Sequence, residues 1–310
     1  MLKSRLCIAF FAFAVGCAPA QKPLTDYVNP MLGTATLWDS VDLGFKPTKR
    51  TWGAEVFPGS SLPNAMVQVS PVTKFHSGAG YQYEDSVIYG FTHTNKGHWN
   101  LCHIPLLPVT GTPTPGDYCS PFSHERESAA PGYYQVFLDR YGVDAQLSST
   151  LRCAFHKYTY PAGAAASLLA DLQRSNEHVR AWDIRKEGDN VFAGWQQTGE
   201  KMYFYAVANR PVTGIEPVVE GDREVRIVRF GEGDGALELR IGFSFVSEKN
   251  ARENLEAEML GKSFAEVRSE ATATWNDLLG RIRVEGGTER EKGLFYSSLY
   301  RSFLLSLIHI

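Results

Sequence analysis

The stretch GYQYEDSVIYGFTHTNKGHW (Gly80–Trp99), followed by SPFSHERESAAPGYYQVFLDRYGVDAQLSSTLRCAFHKYTYP (Ser120–Pro161), decides the fold of this chain. Short runs of alternating apolar and polar residues are separated by loops rich in Gly, Pro, His and aromatic residues. Such alternation is typical of strands with one buried face. Aromatic and His side chains on the loops of a β-scaffold suit a polar, flat ligand such as a sugar, because aromatic faces stack on C–H bonds.

Further alternating segments extend the β pattern to Phe245. The predicted strands between the two ends of this region are Tyr134–Leu138, Val143–Leu147, Phe155–Tyr160, Ser167–Ala170 and Tyr203–Ala208. Val225–Phe230 and Leu237–Phe245 flank the Gly-rich turn Gly231–Gly235, which predicts a hairpin. Because Gly and Pro separate the strands and no βαβ rhythm appears, the pattern predicts a mostly β protein built as an antiparallel β-sandwich.

The period of the pattern changes after Ser247, where apolar residues recur at three- and four-residue steps, as in amphipathic helices. Two capping boxes, each a Ser or Thr followed three residues later by Glu, predict helix starts at Ser263–Glu266 and Thr288–Glu291. The apolar stripes are predicted to contain Trp275 on the first helix, and Phe295, Leu299 and Phe303 on the second. The sequence therefore predicts linker helices behind the sandwich.

The charge balance argues against nucleic acid as a partner. The chain has 310 residues, with 31 Lys and Arg against 34 Asp and Glu, so its formal net charge is only −3. No basic excess is present to bind a phosphate backbone. The hydrophobic fraction of 44% is ordinary for a globular protein and excludes disorder of the whole chain.

The first 17 residues are predicted to be a signal peptide. Lys3 and Arg5 form a positive start, and Leu6–Val15 is an apolar run too short to span a bilayer. Ala14–Cys17 resembles a lipobox, which predicts a lipid on Cys17 and an anchor in the outer membrane of a Gram-negative bacterium, with the protein in the periplasm or at the cell surface. The alternative is an ordinary signal-peptidase site at Ala18–Ala20. Both predict export.

The cysteines outside the leader are Cys102, Cys119 and Cys153. Three thiols can form at most one disulfide, and no Cys-x-x-Cys metal pattern is present. We expect at least one of them to be a small buried hydrophobic residue.

Several motifs occur in an order that identifies a family. VNPMLGT (Val28–Thr34) and FPGSSLPNAMVQVSP (Phe57–Pro71), together with the two stretches quoted first, resemble the amino-terminal half of glycoside hydrolase family 92, the calcium-dependent exo-α-mannosidases. The resemblance runs from about Asp26 to about Ser306. It implies a β-sandwich at 26–246 and, at 247–310, a helical linker that leads into an (α/α)6 catalytic barrel. The chain ends before that barrel, so we expect the sequence to be incomplete at Ile310.

The resemblance also implies the chemistry. Family members release terminal mannose from N-glycans or mannan with inversion, and their Glu acid, Asp base and calcium ligands lie on the barrel. No catalytic residue and no metal ligand is therefore expected in this chain. The carboxylates of its loops are expected to act in turns and hydrogen bonds instead; they are Glu84, Asp85, Glu125 and Glu127.

In the family, loops of the sandwich close one wall of the substrate pocket. The matching positions are Gly33 and Thr34 and the segment around Phe75 and His76. Members that cleave α-1,2 linkages carry a Trp in the second loop, which this chain lacks, so the linkage stays open.

Three more residues are candidate sugar contacts, each with an alternative. His93 either hydrogen-bonds sugar or satisfies a buried loop carbonyl. Trp99 and Trp52 either stack on a sugar or pack their loops onto the sandwich. His124 is interpreted as structural, and the pair His98 and His103 does not have a zinc spacing.

Two functions of different kinds fit these observations. The first is the amino-terminal part of an exported α-mannosidase, with a mannose-phosphate phosphodiesterase of the same family as its variant. The second is a carbohydrate-binding β-sandwich without catalysis, or a domain that only stabilises the barrel. The helical extension favours the first, because a free-standing binding module does not need apolar helices that seek a partner domain.

Overall fold

The computed structural model describes residues 22–36, 44, 56–96, 99–233 and 235–304, and of 95, 96 and 99 the backbone only. Cys17, Trp52 and His98 lie outside the described residues. The strands in chain order are β1 (Ser60–Ser61), β2 (Gln68–Val72), β3 (Val87–Ile88), β4 (Gly90–Thr92), β5 (Asn95–Lys96), β6 (Trp99–Asn100), β7 (Leu106–Val109), β8 (Ser120–Pro121), β9 (Glu127–Ala130), β10 (Tyr133–Leu138), β11 (Val143–Ser149), β12 (Cys153–Thr159), β13 (Ser167–Ala170), β14 (Ala181–Gly188), β15 (Val191–Gln197), β16 (Lys201–Ala208), β17 (Val212–Glu220), β18 (Arg223–Phe230) and β19 (Leu237–Ser244).

The strands form two large antiparallel sheets. The first sheet has the order β1-β2-β4-β7-β13-β18-β17, and the second has the order β14-β15-β16-β19-β12-β11-β10-β9. Two short ladders, β3-β8 and β5-β6, lie outside them. The mostly β, antiparallel fold class predicted from the alternating pattern is confirmed.

The main core lies between the two large sheets. Phe91 and Leu168 of the first sheet belong to the same buried cluster as Tyr134 and Phe204 of the second. Residues of β16 alternate strictly between half-buried and buried, as the period of a strand requires. Burying one face of each sheet against the other is the main stabilising contribution of such a fold.

The predicted hairpin between Val225–Phe230 and Leu237–Phe245 is wrong. Both segments are strands, but β18 pairs with β13 and β17 in the first sheet. β19 pairs with β12 and β16 in the second sheet. The Gly-rich connection therefore crosses from one sheet to the other. Alternation shows which face of a strand is apolar, and it does not determine which strand lies beside it.

Among the residues described up to Leu304, three α-helices follow the sandwich: α1 (Glu248–Glu258), α2 (Phe264–Leu279) and α3 (Glu289–Leu304). Both capping boxes are confirmed. Ser263 and Glu266 bond reciprocally at the start of α2. At the start of α3, the Glu291 amide donates to Thr288 Oγ1 at 3.2 Å and the Thr288 amide donates to Glu291 Oε2 at 2.7 Å.

Helices α1 and α2 cover the outer face of the second sheet. Their Leu255 and Phe264 are buried with Phe155 of β12. Contact is close because β19 has Gly242 under α1, where a Cβ atom would lie 2.1 Å from the Ala251 carbonyl oxygen. A side chain there would push the helix off the sheet.

A second apolar cluster joins α2 and α3 to the amino-terminal segment. Trp275 is fully buried there, as predicted, and its indole N–H donates to the Ser61 carbonyl oxygen at 2.8 Å. The buried residues of α3 are Tyr296, Ser297, Tyr300 and Leu304. The predicted stripe is thus displaced by one position, and its members Phe295, Leu299 and Phe303 are only partly buried.

Among the described residues, Cys102, Cys119 and Cys153 are free thiols. Cys102 and Cys153 are fully buried. This agrees with the interpretation of at least one cysteine as a buried hydrophobic residue. In the same described part of the chain, no helix is long and apolar enough to cross a membrane.

Candidate functional site

The loop Asn29–Thr34 forms the edge of the first candidate site. Its turns close through hydrogen bonds from the Leu32 amide to the Asn29 carbonyl and from the Thr34 amide to the Met31 carbonyl, each 3.1 Å long. Gly33 has a φ of 89°, which a residue with a side chain adopts only at a cost. Thr34 is buried, and its hydroxyl donates to the Met31 carbonyl at 2.8 Å. Gly33 therefore lies at the surface while Thr34 fixes the loop.

Helix α3 holds this loop from behind. Arg301 donates through Nη1 to the Phe57 carbonyl at 2.9 Å and through Nη2 to the Pro30 carbonyl. The Ser297 hydroxyl accepts from the Asn29 amide at 2.9 Å. Burial lowers the pKa of Arg301 from its usual value, but that value is so high that the side chain stays charged. The position of the Gly33 loop thus depends on a helix more than 260 residues later in the chain.

A pocket of about 450 Å³ opens beside the loop, and we call it the Gly33 pocket. Its lining residues are Asn29, Met31, Leu32, Gly33, Ala35, Tyr83, His124 and Glu127. Tyr83 and His124 present stacked rings, with centroids 3.8 Å apart and planes 1° from parallel. Exposed loop backbone, apolar side chains and stacked rings together suit one sugar unit.

Glu127 is the only carboxylate among the lining residues that the structure describes there. Its side chain is 1% exposed. It accepts hydrogen bonds from the Tyr81 hydroxyl at 3.0 Å and the Tyr134 hydroxyl at 2.5 Å, and His124 Nδ1 lies 2.5 Å away. Burial, and then the nearby Glu127 charge, raise the pKa of both tyrosines, so they remain donors at physiological pH. Glu127 is therefore a fixed acceptor that orients the Tyr83–His124 stack.

A second pocket, of about 760 Å³, lies along the segment 173–182. We call it the arginine pocket, because Arg174, Arg180 and Arg223 line it. His76 is exposed and contributes to its rim. The loop that carries His76 continues along the chain to Tyr83 of the Gly33 pocket. One loop thus contributes to both sites.

Asn176 ties together the two loops that meet at this pocket. Its Oδ1 accepts from the His76 amide at 2.6 Å, and its Nδ2 donates to the Asn100 carbonyl at 2.5 Å and the Ser77 carbonyl at 3.3 Å. The held loops include non-glycine residues with positive φ, namely His76 at 59°, Cys102 at 53° and Ile104 at 52°. Such conformations cost free energy and persist only where surrounding contacts impose them. We call the three hydrogen bonds of the Asn176 side chain to His76, Ser77 and Asn100 the Asn176 clamp.

We expect Asn176→Ala to release the His76 loop. Hydrogen exchange at the His76 amide should become up to about tenfold faster, because a hydrogen bond of this kind typically contributes about 0.5–1.5 kcal/mol. The matched control is Asn190→Ala, since Asn190 is also half-buried and donates one bond, to the Ala208 carbonyl at 2.7 Å. Unchanged protection of His76 in Asn176→Ala would contradict the clamp.

Phe75 and His93, two further residues predicted for the site, are not among the residues that line the two pockets. Phe75 is buried and packs edge-on against Tyr89, with ring centroids 6.0 Å apart, so it supports the loop. His93 is fully buried and lines neither pocket; its Nε2 lies 3.0 Å from His156 Nε2. The structure therefore does not support a sugar contact for His93. The backbone of Trp99 lies in β6, and its side chain is not among those described.

Sequence reasoning missed most of the residues that line the pockets. The missed residues are Asn29, Tyr83, Arg174, Arg180 and Arg223, and His124 and Glu127 were interpreted as structural loop residues. The spacing of His124 and Glu127, three residues apart, is a weak signal for a local pair. Arg174 and Arg180 lie six residues apart, but Arg223 lies 43 residues after Arg180, so no local pattern connects all three.

The described residues offer no metal centre. In this part of the chain, no group of three or more His, Cys, Asp or Glu side chains is arranged to hold an ion.

Comparisons with known proteins give the family. The Glycosyl hydrolase family 92 N-terminal domain matches residues 27–254, and the Glycosyl hydrolase family 92 catalytic domain matches residues 250–308. A curated relative from Arthroderma benhamiae, named an uncharacterized secreted glycosidase, is 24% identical over an alignment of 333 residues that covers 90% of this chain and 41% of the relative.

Solved structures agree. A family GH92 alpha-mannosidase from Bacteroides thetaiotaomicron is 25% identical with a TM-score of 0.78, covering 90% of this chain and 41% of its own. A GH92 inverting mannosidase from Bacteroides thetaiotaomicron VPI-5482 is 25% identical with a TM-score of 0.76, covering 91% and 40%. The chain thus spans about two fifths of the length of these relatives. With its sandwich and its linker helices matched in the same order, the chain belongs to glycosyl hydrolase family 92.

Proposed function

We propose that this chain is the amino-terminal part of an exported α-mannosidase that hydrolyses terminal α-mannosides of N-glycans or mannan with inversion. The contact between α3 and the Gly33 loop carries the proposal. Helix α3 lies within the catalytic-domain match, and its Arg301 and Ser297 bind the loop that borders the Gly33 pocket. The sandwich and the start of the catalytic domain therefore together hold the loop that borders the Gly33 pocket. Mannosidases among the similar structures support the substrate class.

In this proposal the described residues bind and orient the sugar. The Tyr83–His124 stack offers apolar surface to the C–H bonds of a mannose ring, and the Gly33 loop offers backbone groups to its hydroxyls. Glu127 keeps the stack in place. The resemblance implies that calcium holds the mannose hydroxyls. It also implies that the acid, the base and the calcium ligands belong to the part of the family fold that this chain does not span.

Joining this chain to the remaining catalytic domain of a family relative tests the proposed function. We expect the joined enzyme to release mannose from an aryl α-mannoside and EDTA to stop the reaction. Proton NMR during early turnover should show β-mannose first, because inversion places water on the face opposite the leaving group. Early α-mannose, or turnover that is insensitive to EDTA, would contradict the proposal.

We further propose that Cys17 carries the lipid anchor. The motivation is the short apolar run that ends at Gly16 and Cys17. In a Gram-negative host the protein should fractionate with membranes, and Cys17→Ser should release it to the soluble periplasmic fraction. A wild-type protein that is wholly soluble and begins at Gln21 would contradict the anchor.

A further inference from the structure

Two aromatic side chains lie side by side on the outer face of the second sheet. Trp195 of β15 and Tyr203 of β16 are directly opposite each other in the strand register, so they share one face. Phe204, the next residue along β16, belongs to the main core. Because side chains alternate between the two faces of a strand, Trp195 and Tyr203 point away from that core. Both are only half-buried, and we call them the aromatic platform.

The platform extends across several strands beside helix α1. Asp183 of β14 pairs with Trp195, so a row of three side chains crosses β14, β15 and β16. Neighbouring strands are about 4.8 Å apart, which gives this row a length of about 10 Å. Helix α1 packs over the same face further along β16, at Tyr205 and Val207. The part of the face that carries the platform is therefore long enough for more than one sugar ring.

The ring faces of the platform are open to solvent. Lys201 Nζ lies 3.8 Å from the centroid of the Trp195 ring and 5.7 Å from that of Tyr203. An ammonium group on a flexible stem stays hydrated at such a position. A ligand can therefore displace Lys201 from the rings, and the displaced ammonium group can donate hydrogen bonds to that ligand.

The polar atoms at the edges of the platform are not used by the rest of the described protein. Among the described residues, no partner accepts from the Trp195 indole N–H, and none bonds to the Tyr203 hydroxyl or the Gln197 side-chain amide. Trp275 shows the contrast, because its buried indole N–H donates to the Ser61 carbonyl oxygen at 2.8 Å. Open rings with free polar groups at their edges suit a sugar, which has C–H faces and a rim of hydroxyls.

The charges beside the platform favour a neutral ligand. Arg185 of β14 pairs with Asp183 at 3.3 Å, with Glu187 at 2.6 Å and with Glu248 of α1 at 2.8 Å. Arg185 and Lys201 thus stand against three carboxylates. Opposite charges that are interspersed in this way produce no strong field of one sign, so the platform has no means of attracting a highly charged polymer.

We propose that the aromatic platform is a second carbohydrate-binding surface, which holds a neutral α-mannan chain outside both pockets. Trp195 and Tyr203 line neither the Gly33 pocket nor the arginine pocket. Their rings stack on the sugar, while Gln197 and Lys201 bond to its hydroxyls. A polymer held there is presented to the Gly33 pocket at a raised local concentration. Mannan as the polymer rests on the proposed function, whereas the binding of a neutral polysaccharide does not.

Native electrophoresis of the 310-residue chain in gels that contain neutral α-mannan measures this binding without any turnover. We expect the wild-type chain to be retarded in proportion to the mannan concentration. Trp195→Ala and Tyr203→Ala should each raise the Kd at least about fivefold, because aromatic side chains dominate such contacts. Tyr83→Ala is the matched control, since Tyr83 is an exposed aromatic residue of the Gly33 pocket and should leave the retardation unchanged.

Trp195→Phe provides a second test that does not depend on the folding of Trp195→Ala, because a phenyl ring preserves most of the packing. Addition of α-mannan should change the tryptophan fluorescence of the wild-type chain, and Trp195→Phe should largely lose that change. An equal change in both chains would overturn the proposal. So would a wild-type chain that α-mannan does not retard, or retardation that Tyr83→Ala abolishes and Trp195→Ala keeps.

This result is separate from the test of the proposed function. Binding to the platform is read without catalysis, so a joined enzyme that fails to hydrolyse mannosides leaves the retardation unaffected. Conversely, loss of the platform leaves the Gly33 pocket and its Tyr83–His124 stack in place, so release of mannose from an aryl α-mannoside should continue.

Discussion

The purified 310-residue chain is expected to show no hydrolysis of aryl α-mannosides, with or without calcium. Inverting hydrolysis needs an acid and a base whose carboxyl groups stand roughly 6.5–9.5 Å apart across the sugar. Among the described lining residues, each pocket has one carboxylate, Glu127 or Glu177. Glu127 is held by three donor side chains. Losing a general acid or base typically costs about 10²–10⁴-fold each, so the chain alone should fall at least about 10⁴-fold below the joined enzyme.

The comparison is made with the same preparation before and after joining it to the catalytic domain of a relative. A cooperative thermal unfolding transition of the unjoined chain serves as the control for folding. If the unjoined chain hydrolyses the substrate and Glu127→Gln abolishes that activity, the assignment of the chemistry to the other part of the family fold is wrong.

Lowering the pH from 7.5 to 5 is expected to destabilise the chain strongly. Burial lowers the pKa of His93 to about 3 and that of His103 to about 4, and it lowers the pKa of His156 well below its usual value. In the unfolded chain each would titrate near about 6.5. Below that pH the unfolded state binds more protons than the folded state, so stability falls as pH falls.

The hydrogen bonds of His93 and His156 can form while both rings are neutral. Tyr158, whose pKa burial raises, lies with its hydroxyl 2.5 Å from His156 Nδ1, and His156 Nε2 lies 3.0 Å from His93 Nε2. The Tyr158 hydroxyl can donate to Nδ1 of a neutral His156, and the Nε2–H group of His156 can donate to Nε2 of His93. Neither imidazole needs a second proton to form these two hydrogen bonds. A second proton on either ring would place charge between the sheets without a carboxylate partner.

Urea unfolding at pH 7.5, 6 and 5 measures this effect. Each of the three histidines contributes at most about 1.4 kcal/mol per pH unit below 6.5. His156→Gln should reduce the slope, because it removes one of the buried imidazoles whose pKa burial lowers. Equal stability at pH 7.5 and 5 would contradict the prediction even if His156→Gln failed to fold.

The family motifs, the strands and the helix starts could be predicted because each rests on neighbouring residues. Ser263 and Glu266 bond to each other across one turn, so their spacing alone predicts the start of α2. Alternation likewise located most of β10, β16 and β19. These patterns are local, so they can be recognised without knowledge of any tertiary contact.

Strand partners and the composition of both pockets depended on the tertiary structure. β18 and β19 are separated by six residues in the chain, yet they enter different sheets. Arg301 lies 271 residues from the Pro30 carbonyl that it binds. His93, a candidate sugar contact by its loop position, is buried against His156 instead.

By itself, the sequence determined the β class from apolar alternation, the helix caps from the capping boxes, and the family from the order of its motifs. Each of these signals lies within a short segment of the chain. Only the tertiary structure decided that Tyr83, His124 and Glu127 share one pocket and that Arg174, Arg180 and Arg223 share another. The physical reason is that strand pairing and sheet packing are selected by apolar area buried over the whole fold. Side chains far apart in the chain are brought together by that selection, and no local pattern records it.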